Sequence, residues 1–162
     1  MRIGEYLTAD HRRLDALLGA AEQRDPIDTA PYAEFRRGLL RHIGIEEKIL
    51  LPAAQQARGG VPLEVAARLR LDHGAIAALL VPTPTQTVVA TLRHILVRHN
   101  LIEEGPDGLY AQCDRLLASR RAPIVAEMEA FAPVPVSAHN DDPVVMPAVE
   151  RALERAGYRL AR

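Results

Sequence analysis

The chain has 162 residues, close to half of them apolar, with 20 basic against 21 acidic side chains and a formal charge of −1. Aromatics are scarce, with no Trp, and leucine and alanine dominate, which favours helices over sheets. The charge is even and no basic stripe or aromatic-basic interleaving appears, so no nucleic-acid partner is expected; no apolar run is long enough to cross a bilayer, and a single Cys113 excludes an internal disulfide or a cysteine metal cluster.

The opening MRIGEYLTADHRR is charged and broken by Gly4, unlike a secretory leader, so a cytoplasmic location is expected. A first helix is expected from about Gly4 to Arg24, with Leu7, Leu14, Leu17 and Leu18 inside and His11 on the same face. DPIDTAP breaks the pattern, and a second helix follows from near Pro31 to Arg58, with Pro52 as a kink and GlyGly at 59–60 as its end. The third helix is expected from near Pro62 to about Leu80, with Ala66, Leu69, His73, Ile76 and Leu80 as its inner stripe. After the loop VPTPTQT a fourth helix spans roughly Thr85 to Glu104, where GPDG interrupts it. Shorter helical pieces are expected at Leu109–Leu117, at 120–131 and, beyond the turn-prone APVPVSAHNDDP, at about Pro143 to Gly157. The last has Val145, Val149, Ala152, Leu153 and Ala156 on one side, fit to pack on the bundle or on another subunit. The expected fold is all-α: an up-down-up-down four-helix bundle over residues 1–118 with a C-terminal helical extension over 119–162.

Two stretches repeat. HIGIEEKILLP from His42 and HNLIEEGPDGLY from His99 both read His-x-x-x-Glu-Glu. Residues four apart share a helix face, so His42 points with Glu46 and His99 with Glu103. ADHRRLDALL of the first helix likewise aligns with LDHGAIAALL of the third, pairing Asp10-His11 with Asp72-His73. A hairpin bearing Asp-His and then His-x-x-x-Glu-Glu therefore occurs twice, and two such hairpins about a pseudo-two-fold axis bring all four helices to one centre.

The inward polar set is His11, His42, Glu46, His73, His99 and Glu103. Burying one unsatisfied polar group costs roughly 1–3 kcal/mol. Six of them would rival a whole domain's stability of about 5–15 kcal/mol. A pair of divalent cations is the common partner they need: four imidazoles and two bridging carboxylates suit two metals about 3.5–4 Å apart. Mixed nitrogen and oxygen donors without thiolate put iron first, with manganese and zinc as alternatives.

This arrangement resembles the hemerythrin-like family, the HHE cation-binding domains, over about residues 5–118: His on the first and third helices, His-x-x-x-Glu on the second and fourth. The resemblance implies two iron ions in a non-haem centre, held by His11, His42, Glu46, His73, His99 and Glu103. It also implies a small-molecule ligand (O2, peroxide or NO) at the metal. The oxygen-carrying members have a further His one turn after the third-helix His, where this chain has Ala77, and an Asp where it has Glu104. Sensing, metal handling or small-molecule redox chemistry is therefore expected ahead of oxygen transport, and Glu104 competes with Glu103 as the bridge. The alternatives are a di-iron enzyme of oxidative or nitrosative stress defence, peroxidase-like or repairing iron–sulfur clusters, and a regulatory module with a structural metal site. A homodimer is left open.

The remaining polar residues are expected to be passive. Asp10 and Asp72 point about 100° from their histidines and are read as surface or cap residues. Glu47 and Glu104 are read as solvated and His94 as exposed. His139 is assigned no part at the site, Tyr6 and Tyr32 are read as packing residues, and Cys113 as a small helix residue. Asp15 is placed either behind His11 or beside Arg12.

Overall fold

Helix starts and stops follow local chemistry. Asp28 takes the Ala30 amide at 3.3 Å to open the second helix, and the Thr85 hydroxyl takes the Val88 amide at 3.1 Å to open the fifth. Gly157, at φ 82°, closes the last in the left-handed conformation. The computed structural model describes all 162 residues and contains helices and no strand. The helices are α1 (Ile3–Glu22), α2 (Thr29–Ile45), α3 (Leu51–Ala57), α4 (Val65–Leu79), α5 (Gln86–Glu104), α6 (Leu109–Leu116), α7 (Arg121–Ala130) and α8 (Val145–Ala156). No helix is long and apolar enough to cross a membrane.

The long second helix expected through Arg58 is interrupted, though not by a kink at Pro52. A π-helical turn, Glu46–Leu50, joins α2 to α3, with the Leu51 amide reaching back to the Glu46 carbonyl. Pro52 brings no amide hydrogen and its ring crowds the carbonyl a turn earlier, so the widened turn just before it absorbs the conflict.

α1 packs on α2 and α5, and α4 packs on α5 and α8. The last helix thus docks on its own bundle: Val149 and Leu153 join Leu14, Phe35, Ile76 and Leu92 in one apolar cluster. A second cluster gathers Ile3, Leu7, Ile45 and Leu69 with Leu109, Cys113 and Met128 of α6 and α7. Between the two lies the polar layer, since His11 falls between Leu7 and Leu14, and His73 between Leu69 and Ile76. Three arginines fasten the C-terminal segments. Arg36 donates to the carbonyls of Leu80 (2.8 Å) and Ser137 (2.6 Å), Arg41 to those of Met128 and Phe131 (2.9 Å each), and Arg68 to that of Ala156 (2.5 Å).

Candidate metal centre

α1, α2, α4 and α5 each carry one of the four histidines, and all four rings are buried. Each turns Nδ1 outward to a carboxylate. His11 meets Glu104 at 2.5 Å, His42 meets Asp10 at 2.9 Å, His73 meets Glu47 at 2.7 Å and His99 meets Asp72 at 3.1 Å. A neutral imidazole that gives its Nδ1 proton to a carboxylate is left with an Nε2 lone pair, and here all four Nε2 atoms face inward. The His11 and His42 Nε2 atoms stand only 3.0 Å apart.

Two fully buried glutamates lie among them, each dividing its oxygens between two pairs of rings. Glu46 sets Oε1 3.2 Å from His42 Nε2 and Oε2 3.2 Å from His73 Nε2. Glu103 sets Oε2 3.2 Å from His11 Nε2 and Oε1 2.8 Å from His99 Nε2. The six residues form two overlapping donor groups, His11–His42–Glu46–Glu103 and Glu46–His73–His99–Glu103, within which all donor atoms lie within 4.8 Å of one another. Three buried atoms of the second group, Glu46 Oε2, His73 Nε2 and Glu103 Oε1, make no well-directed hydrogen bond, although nitrogen and oxygen there stand 2.8–3.9 Å apart. Orphaned buried acceptors on one centre are costly, and a cation offsets that cost directly. The donor set therefore fits a pair of metal ions.

Four residues expected to be passive stand at the site. Asp72 is completely buried and Asp10 largely so, each holding the histidine of the next helix, and Glu47 and Glu104 hold His73 and His11. The 100° offset that turns the aspartates away from their own histidines turns them toward a neighbouring helix. Asp15 pairs with Arg93 at 2.7 Å, neither behind His11 nor beside Arg12. Glu103 lies at the centre and Glu104 behind His11. His94 and His139 are exposed, Tyr6 reaches only the Met128 carbonyl, and Tyr32 packs on Phe35. Cys113 is buried in apolar surroundings that push its thiol up to about 12.

Tyr110 joins the site without belonging to the repeated pattern. Its hydroxyl donates to Glu46 Oε1 at 2.7 Å and stands 3.1 Å from Glu103 Oε2, 3.0 Å from His11 Nε2 and 3.3 Å from His42 Nε2. The only signal in the sequence is its place directly after GPDGL, at the end of the second repeated stretch.

Without a cation the cluster holds protons. Burial alone would lower the imidazoles of His42, His73 and His99, but the surrounding carboxylates outweigh it and raise them to about 10, about 11 and about 9. Burial and mutual repulsion would raise Glu46, yet His42 and His73 hold it below its ordinary value; burial would also raise Glu103, but its imidazole neighbours hold it well below.

Helices that place buried His–carboxylate pairs about two shared glutamates define a helical cation-binding protein. The family model of the hemerythrin HHE cation binding domain matches residues 2–106, and the chain belongs to that family. No curated protein and no solved structure matches the chain.

Proposed function

We propose that the chain is a non-haem di-iron protein that binds or senses a small oxidant or NO, built on a bundle whose four main helices alternate in direction. The observation that carries the reading is the shared use of Glu46 and Glu103, each with one oxygen toward each pair of imidazoles. His11 and His42 would then hold one ion and His73 and His99 the other, with Glu46 and Glu103 common to both donor groups. Asp10, Glu47, Asp72 and Glu104 fix the rings so that Nε2 is presented inward. An iron pair held this way supplies redox change and open coordination positions to a small ligand.

The space beside the cluster supports a small ligand. A cavity of about 60 Å³ reaches His11, His42 and His99 between walls that include Leu14, Leu39 and Ile76. It has room for a diatomic or a peroxide and little more, and its walls favour an apolar guest. At its edge lie Asp15 and Arg93.

Anaerobic ferrous loading followed by air tests the reading. The expected result is about two irons per chain with visible absorption from the oxidised pair. A colourless product without iron overturns it.

A further inference from the structure

The donor set is nearly two-fold symmetric, and Tyr110 breaks that symmetry. Its phenol oxygen stands within 3.3 Å of a donor atom from every member of the His11–His42–Glu46–Glu103 group. Nothing equivalent serves the His73–His99 side, where the orphaned atoms of Glu46, His73 and Glu103 lie. The first repeat continues from its glutamates into Lys48, Ile49 and Leu50 and offers no phenol. Tyr110 also lies beyond residues 2–106, the span matched by the family.

Three features hold the phenol there. Gly108 lets α6 turn tightly beneath the end of α5: a β-carbon at that position would come within 2.5 Å of the Ile102 carbonyl oxygen and 2.6 Å of that of Glu103. Gly4 lets α1 approach α6, since a β-carbon there would meet the Tyr110 β-carbon at 3.2 Å. Asp114, one turn after Tyr110, accepts the first amides of α1, from Ile3 at 2.9 Å and Gly4 at 3.1 Å, and so pins α6 to the helix that carries His11. A side chain merely filling the core would not need its hydroxyl at the focus of two imidazoles and two carboxylates.

We propose that Tyr110 is a fifth protein donor to the cation held by His11 and His42, binding as phenolate and making the two metal positions unequal. The inference rests on the two-ion reading above. As the oxygen–metal bond forms, the phenol O–H breaks and its proton leaves to solvent; iron brings the positive charge that makes this favourable in a buried site. The His11 position then has two imidazoles, two carboxylate oxygens and a phenolate. The His73 position keeps four protein donors.

Resonance Raman spectroscopy of the full chain, loaded with ferrous iron and oxidised in air, tests this. Excitation in the visible band is expected to enhance tyrosinate ring modes that shift when the protein is made with ring-deuterated tyrosine. Tyr110→Phe is expected to abolish them, whereas Tyr6→Phe, Tyr32→Phe and Tyr158→Phe retain them. Should Tyr110→Phe fail to fold, the isotope shift in the unaltered chain and the three other variants still identify the donor. Two bound irons without an isotope-sensitive tyrosinate mode overturn the phenolate alone. So does a mode that survives Tyr110→Phe. A chain that takes up no iron overturns the di-iron reading and the phenolate with it.

Discussion

Asp72 accepts the Nδ1 proton of His99 across 3.1 Å from a position with no solvent exposure, and its other oxygen meets the Arg68 guanidinium, which also holds the Ala156 carbonyl. One carboxylate thus connects a candidate metal ligand to the last turn of α8. Asp10 likewise holds His42, but with 14% of its side chain exposed.

That difference orders two substitutions. Asp72→Asn keeps the shape but removes the charge that orients His99 and neutralises Arg68. Loss of such an orienting partner typically lowers metal affinity about 10–100-fold. Asp10→Asn is expected to cost less, because water can reach His42 in its place. Chelator competition measures both, and equal or negligible losses would contradict the assignment.

Metal removal is expected to destabilise the fold. An ion at 100 times its dissociation constant adds roughly 2.7 kcal/mol. For a domain of this size about 1 kcal/mol moves the melting midpoint by roughly 2–4 °C. Removing two such ions should therefore lower the midpoint by about 10–20 °C, read by calorimetry with and without chelator. An unmoved midpoint would sink this expectation.

The imidazoles set opposite pH responses for the two forms. In the metal-free chain His42, His73 and His99 titrate near 10, 11 and 9, above their ordinary 6.5. Their stabilisation is complete below about pH 6.5, diminishes as pH rises, and is gone once pH passes the folded values. Asp10, Glu46, Glu47, Asp72 and Glu103 are shifted down, so theirs is complete above the ordinary carboxylate range and lost on acidification. Metal-free protein should be most stable in mildly acidic solution, while metal affinity climbs with pH as protons cease to compete. Loading at pH 7 should release about three protons or more per chain, measurable by titration in weak buffer; uptake at constant pH without proton release would contradict it.

Leu153 is fully buried where α8 meets the bundle. Leu153→Ala is expected to cost about 2–5 kcal/mol in urea unfolding. Because Leu153 is neither one of the donor residues nor part of the lining of the cavity beside the histidines, metal content should not change. A loss below about 0.5 kcal/mol would mean that α8 adds little to the fold.

Much of this is legible in the sequence because helical periodicity is local. The two His-x-x-x-Glu stretches and the two Asp-His pairs suffice to put the six central residues on one inward face, and the helix ends lie within a few residues of their turn signals. Asp10, Asp72, Glu47 and Glu104 escape such reasoning because a single helix has only an inside and an outside. In a bundle each helix has two neighbours, and a residue one position from the core stripe faces the next helix. Tyr110 cannot be placed from periodicity at all, since its position depends on Gly108 allowing a close backbone approach and on Asp114 reaching across to α1. The π-turn is hidden for a similar reason: Pro52 announces a conflict in the ladder, but not where the ladder will yield.

Both central glutamates stand where regular α-helical backbone gives out, Glu46 at the first residue of the π-turn and Glu103 in the last turn of α5 before Gly105. The scaffold is therefore least continuous at the level where charge is most concentrated. Cation uptake would act there as a clasp across two interrupted rods, and amide hydrogen exchange around Glu46–Leu50 and the end of α5 should slow on loading more than anywhere else in the chain.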